Sequence, residues 1–263
     1  MTSWYLSVST PPPAKTGANC ITDSAVAHAQ NRPSPQIDSL WSVCYFRNVP
    51  DTLVINEIFY SIQGESSHAG LPCVFVRLTA CNLRCTWCDT TYSFHEGSPM
   101  TLGDVIVKVL EYDCPLVEIT GGEPLLQPNT FPLMTRLCDL GKKVLLETSG
   151  SVDVSQVDPR VVKIMDLKAP NSGECAKNLY DNIRLLDKRD EVKFVIADRA
   201  DYDWAKLTMA EHQLPNICTV LFSPVWDQLP LKTLAGWVLA DKLPVRLQTQ
   251  LHKHIWGAEA RGV

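Results

Sequence analysis

Cys81, Cys85 and Cys88 lie in the eight-residue run Cys81-Asn82-Leu83-Arg84-Cys85-Thr86-Trp87-Cys88. No fourth cysteine stands close enough in sequence to complete a four-ligand set. A structural tetrahedral zinc takes four protein ligands, and so do the cubane clusters that only carry electrons. Three thiolates leave one metal position open, and an open position is where an exogenous ligand binds and reacts. Gaps of three and two residues let one short loop reach three irons of a cubane. A zinc site completed by a distant group such as His95, or three unrelated thiols, are the alternatives at this level.

Three neighbouring features favour the cluster. Trp87 directly precedes the last cysteine, where an aromatic ring can pack beside a bound heteroaromatic group. Thr120-Gly121-Gly122-Glu123-Pro124 follows the apolar run from Leu116, and a Gly-Gly turn lets backbone approach a ligand closely. Glu147-Thr148-Ser149-Gly150 ends the next apolar run with polar groups aimed at the same rim.

These segments need a scaffold. Strands are expected at Cys73–Leu78, Leu116–Thr120, Lys143–Glu147, Val162–Asp166, Glu191–Ile196, Thr219–Phe222 and Val245–Gln248. Helices are expected at Leu102–Tyr112, Asn129–Leu140, Cys175–Leu186, Asp203–His212 and Leu231–Asp241. Thr101 with Asp104 reads as a capping box, and Gly141 as the end of the second helix. Alternation of strand and helix implies an α/β fold with a mostly parallel sheet, whose functional loops leave the C-terminal strand ends. The cysteine run follows the first strong strand and falls in such a loop.

The chain has 263 residues and a formal net charge of -5, enough for one large domain and without the basic field that nucleic acid requires. No apolar run is long enough to span a bilayer, and no secretory signal opens the chain, so a cytoplasmic protein is expected. The cysteines outside the trio read as ordinary packed thiols. Residues 1–51 are rich in Pro, Ser, Thr and Ala without a period and are expected to be a disordered or non-native leader, with a catalytic domain over 52–263. No Met lies between Met1 and Met100, so a start at a non-Met codon near Val49 or Leu53 is an open hypothesis.

The Cys-x3-Cys-x2-Cys run followed by Gly-Gly-Glu-Pro resembles the radical S-adenosylmethionine (radical SAM) superfamily. Further motifs narrow the likeness: Gln63-Gly64-Glu65, Arg77, Cys88-Asp89-Thr90, Glu147-Thr148-Ser149-Gly150 and the late Gln248-Thr249-Gln250-Leu251-His252-Lys253. Together they resemble the 7-carboxy-7-deazaguanine synthase family over about residues 53–257. The resemblance implies a shortened, open partial β/α barrel.

It also implies roles. Cys81, Cys85 and Cys88 would hold a [4Fe–4S] cluster whose open iron binds SAM. Trp87, Cys88, Asp89, Gly122 and Lys168 would contact SAM. Asp166-Leu167-Lys168 stands where many relatives have Ser-Pro-Lys, and Ser223-Pro224 where Gln-Pro is common. Thr90 matches a Mg2+ ligand position. Ile62, Gln63, Gly64, Glu65, Arg77 and Thr120 would bind the substrate 6-carboxy-5,6,7,8-tetrahydropterin, with the Arg77 guanidinium suited to its carboxylate. His252 would lie near the pterin, with His254 an equal candidate by composition; Val263 is given no role.

The implied reaction uses one electron from flavodoxin or ferredoxin to cleave SAM to methionine and a 5′-deoxyadenosyl radical. That radical takes a hydrogen from C6 of the pterin; the ring contracts and ammonia leaves. A homodimer is expected. A radical SAM activating enzyme acting on a partner protein and a non-enzymatic zinc-binding module stay open.

Overall fold

Buried β-branched and aromatic residues dictate the strands, and a computed structural model describes them over residues 51–263. The expected leader, with Cys20 and Cys44, lies outside the described residues apart from Asp51. Nine strands form one sheet in the order β3-β1-β2-β4-β5-β6-β7-β8-β9. They are β1 (Thr52–Ile62), β2 (Pro72–Leu78), β3 (Ser98–Thr101), β4 (Leu116–Gly121), β5 (Lys143–Thr148), β6 (Val162–Asp166), β7 (Glu191–Ile196), β8 (Thr219–Pro224) and β9 (Arg246–Leu247). From β2 through β4 to β9 every neighbour is parallel; β1 runs antiparallel to both β2 and β3. The sheet is therefore open and mostly parallel, as the sequence implies.

The helices are α1 (Leu102–Leu110), α2 (Thr130–Asp139), α3 (Arg199–Glu211), α4 (Leu214–Ile217), α5 (Leu231–Asp241) and α6 (Leu251–Trp256). Thr101 caps α1 by accepting from the Asp104 N–H at 3.1 Å. Gly141, at φ +77°, follows the C-cap of α2, where its N–H and that of Lys142 satisfy the carbonyls of Cys138 and Leu137. Two apolar clusters line the sheet. One joins β1–β6 to α1 and α2; the other joins β6–β8 to α3 and α5.

The structure departs from the sequence expectations at several places, the short helices α4 and α6 among them. β1 is absent from them, because a bulge between Ile55 and Glu57 breaks its two-residue period. β3 is a short edge strand containing Pro99. The helix expected at Cys175–Leu186 is instead two 3-10 segments, Cys175–Lys177 and Tyr180–Leu185. Here Asn178 bonds the backbone of Lys168 on both its amide atoms, and Asn182 bonds Val152 and Val154. Asn side chains that satisfy distant backbone compete with helix formation. Finally, α3 begins earlier than Asp203, because Asp198 caps it by accepting from the Asp201 N–H.

Candidate active site

The C-terminal strand ends surround a cavity of about 730 Å³. Every site residue that the resemblance assigns lines it, from Ile62 to His252. The cavity has two unlike parts, a rim of loops and a floor of buried charge.

The rim begins where the chain leaves β2. The cysteine loop is tied down by its backbone: the Thr86 N–H donates to the Ser172 carbonyl at 3.1 Å, and the Arg84 N–H to Glu174 at 2.7 Å. Cys81, Cys85 and Cys88 are all free thiols on the cavity wall. The Leu83 N–H points at the Cys81 sulfur at 3.4 Å. Burial pushes the Cys85 thiol up to about 11 and raises that of Cys81, with Lys168 acting against it in both cases. Metal binding must therefore displace protons from these sites.

The Gly-Gly turn packs directly on this loop. The Glu123 N–H donates to the Ala80 carbonyl at 2.8 Å. A Cβ on Gly122 would stand 2.2 Å from the Ala80 oxygen and 2.7 Å from the Cys81 Cβ, so only glycine fits. Glu123 itself is fully buried and joins two loops: it accepts from Leu125 N–H, Thr148 Oγ1, and the N–H and hydroxyl of Ser149. The Glu of Gly-Gly-Glu-Pro thus locks the Gly-Gly turn to the end of β5.

At the end of β6, Lys168 Nζ lies 2.8 Å from Asp166 Oδ2. Burial opposes the Lys168 charge, but Asp166 and the Cys85 thiol outweigh it and hold its pKa above the ordinary value. Asp166 lines the cavity, and its Oδ1 is buried without a hydrogen-bond partner among the described residues. Thr90 Oγ1 sits 3.8 Å from Cys88 Sγ, and Asp89 pairs with Lys253 of α6 at 2.7 Å.

These features fit a [4Fe–4S] cluster with SAM. Three unpaired thiols lie on one loop, a glycine cradle adjoins them, and Asp166 on the wall keeps a buried acceptor without a partner. They fit a single zinc poorly. His95 is exposed and does not line the cavity. No group of three His, Cys, Asp or Glu among the described residues gathers to hold one ion.

The floor is made by the loop after β1, which crosses to the far strands. The Ser66 N–H donates to Gln248 Oε1 at 2.9 Å, and Ser67 is anchored by its N–H and hydroxyl to Glu191 of β7. Leu251 N–H donates to the Gly64 carbonyl at 2.9 Å. A Cβ on Gly64 would meet His252 Nδ1 at 2.1 Å, so Gly64 admits the imidazole. Burial lowers the pKa of His252 against the pull of Glu65 and Asp89, which favours the neutral ring. His254 is exposed, near Thr249 and Trp226, and does not line the cavity. The two histidines are thereby separated.

Glu65 is no solvated turn residue, since its side chain is only 17% exposed. It pairs with Lys193 of β7 at 3.0 Å and accepts from Gln250 at 3.0 Å. Burial opposes its charge, but Lys193, His252 and Gln250 hold its pKa below the usual carboxylate range. Lys193 also binds Glu147 and lies 3.9 Å from Asp166. Gln63 donates to Glu118 of β4 and accepts from the Glu65 N–H.

Arg77 and Thr120 are paired neighbours at the ends of β2 and β4. Arg77 Nε donates to Glu57 at 2.7 Å, and the Tyr92 hydroxyl donates to the same oxygen at 3.0 Å. The Arg77 terminal nitrogens make no hydrogen bond among the described residues. Arg261 lies over the Tyr92 ring at 3.7 Å. Sequence reasoning missed Glu118, Lys193, Gln250 and the 258–263 segment as cavity wall, and Glu57 as the partner of Arg77. The available signal was a charge inside an apolar strand, as in Val117-Glu118-Ile119 and Val192-Lys193-Phe194.

The fold and the open three-thiol site define a radical SAM protein, and the Radical SAM superfamily profile matches residues 76–167. A 7-carboxy-7-deazaguanine synthase of Chlorobaculum tepidum is 52% identical over 80% of this chain and 97% of its own length. One from Koribacter versatilis is 47% identical over 80% of this chain and 99% of its own. The crystal structure of QueE from Escherichia coli superposes with a TM-score of 0.64 at 23% identity, covering 76% of this chain and 95% of that one, a likeness of fold. The chain belongs to the 7-carboxy-7-deazaguanine synthase family.

Proposed function

We propose that this chain converts 6-carboxy-5,6,7,8-tetrahydropterin to 7-carboxy-7-deazaguanine with release of ammonia, a step toward queuosine and other 7-deazapurines. The observation that carries this reading is the meeting of the cysteine loop and the charged Gln63-Gly64-Glu65 floor in one cavity.

Cys81, Cys85 and Cys88 would hold the cluster, and Trp87, Asp89, Gly122 and Lys168 would surround SAM. Bound there, the two would supply one-electron radical chemistry that no side chain of this chain offers. The residues of this chain orient the substrate and keep water out. Arg77, with Nε fixed by Glu57, turns its remaining fork to the substrate carboxylate. Glu65 accepts from N–H donors of the ring, and Lys193 keeps it ionised. Ile62, Gly64, Thr120 and neutral His252 shape the rest of the ring site.

Mg2+ at Thr90 is the finer part of this reading. It is supported by a hydroxyl on the cavity wall that can join water and substrate oxygens around a hard cation. Flavodoxin or ferredoxin is the electron donor we expect. A homodimer is supported by exposed apolar Tyr60, Leu71 and Trp256. The cysteines among the described residues are unpaired, which favours a reducing, cytoplasmic setting; no described helix is long and apolar enough to cross a membrane. Residues 52–263 form the catalytic domain in this reading.

The test is an anaerobic assay with the carboxytetrahydropterin, SAM and a reductant. Appearance of the deazaguanine chromophore with one ammonia per product is expected. A reconstituted enzyme that cleaves SAM and leaves the pterin unchanged would overturn the proposal.

A further inference from the structure

Glu118 is an acid of the floor without a cation of its own among the described residues. It lies on β4 two residues before Thr120, so both side chains point to the same face. It is 3% exposed and lines the cavity. Five side chains surround it electrostatically or by hydrogen bond: Gln63 and Glu65 from the loop after β1, Cys73 of β2, Glu147 of β5 and Lys193 of β7. The only cation among them, Lys193, hydrogen-bonds Glu65 and Glu147 instead.

A buried carboxylate with no paired cation and two carboxylates nearby takes up a proton rather than bear its charge. Burial first, then the Glu147 charge, pushes the Glu118 carboxyl well above the usual carboxylate range. The neighbouring amide fixes where that proton sits. Gln63 Oε1 is held by the Glu65 N–H at 3.0 Å, so it is Gln63 Nε2 that donates to Glu118 Oε2. The acid proton therefore belongs on Oε1, which has no acceptor among the described residues.

We propose that Glu118 is a specificity-determining residue, held as a neutral carboxylic acid whose O–H donates to an acceptor atom of the bicyclic substrate ring. This rests on the reading of the cavity floor as the ring site. A 2-amino-4-oxo-pyrimidine ring carries N–H donors and a carbonyl acceptor. Ionised Glu65 supplies an acceptor for the first, and neutral Glu118 a donor for the second. Gln63, bonded to the backbone of one acid and the carboxyl of the other, sets their register.

The test uses the reconstituted holoenzyme of Glu118→Gln and Glu118→Met. The carboxamide keeps a donor and the thioether keeps only bulk. The KM of Glu118→Gln is expected within about threefold of the parent, and that of Glu118→Met to rise by at least about tenfold. Cluster content and SAM affinity should stay unchanged in both. Equal losses in the two variants would mean that an ionised carboxylate is needed and would overturn the proposal; so would an unchanged KM in Glu118→Met. If Arg77→Ala weakens substrate and Glu118→Met does not, only this inference fails. If neither weakens it, the ring-site reading fails. Infrared difference spectroscopy covers the case in which Glu118→Met does not fold. A carboxylic-acid C=O band at neutral pH, absent from Glu118→Gln, is expected in the parent, and its absence there contradicts the assignment.

Discussion

The rim and the floor of the cavity solve different problems. The rim is mostly backbone: a stitched cysteine loop, a glycine turn where an added Cβ would stand 2.2 Å from a backbone oxygen, and a buried glutamate that clamps two loops. Its parts recur at strand ends from β2 to β6, and its charges are held in local pairs, Lys168 with Asp166 and Lys253 with Asp89. The floor is made of charged side chains from β4, β5, β7 and the loop after β1, where one lysine bridges Glu65 and Glu147 and reaches Asp166 of β6 at 3.9 Å. A rim of this kind suits a bound group that brings its own chemistry. A floor of this kind suits a polar ring whose edge must be read, since unmatched buried polar groups reject the wrong ligand.

The comparison breaks most sharply at Cys85. Cys85→Ala should abolish cluster retention and SAM cleavage while the fold persists, read by iron and sulfide content and by circular dichroism. Lys193→Met should strike the floor instead. It leaves Glu65 and Glu147 unpaired in a site where the lysine is 6% exposed, and breaking a buried pair costs about 3–5 kcal/mol. Denaturant unfolding of the variant would measure it, and an unchanged midpoint would count against a shared buried cation.

Gly122→Ala forces a Cβ against backbone that cannot swing away, an overpacking cost of about 1–3 kcal/mol. We expect it to appear as weaker SAM binding by equilibrium dialysis, with pterin affinity spared. The smallest effect is one of pH. The folded-state pKa of Glu118 is raised, so its stabilising share is present in acid and lost as pH climbs through that raised value. Thermal unfolding measured from the ordinary carboxylate value of 4.5 upward should fall more steeply with pH in the parent than in Glu118→Gln.

The two regions were also unequally legible in the sequence. The cysteine run, Gly121-Gly122 and the strands that carry them are local patterns, and the structure assembles them in the expected order around one cavity. β6, β7 and α5 fall where periodicity places them. β1 was hidden by its bulge, and the segment after β6 by asparagines that bond distant backbone. The floor resisted reading for a different reason. Lys193 meets Glu65 across 128 positions and Glu147 across 46, a pairing that no local period announces. Arg77 was legible as a cation at a strand end, whereas the Glu57 and Tyr92 groups that fix it were not.

The division between rim and floor is tested most directly by Arg77→Ala, assayed anaerobically for three quantities in one preparation: cluster content, SAM cleavage without substrate, and deazaguanine formation. The account predicts the first two near parental levels and the third lowered by about a hundredfold or more, the loss of a bidentate charge-assisted contact. Parental deazaguanine formation, or loss of the cluster together with activity, would contradict it.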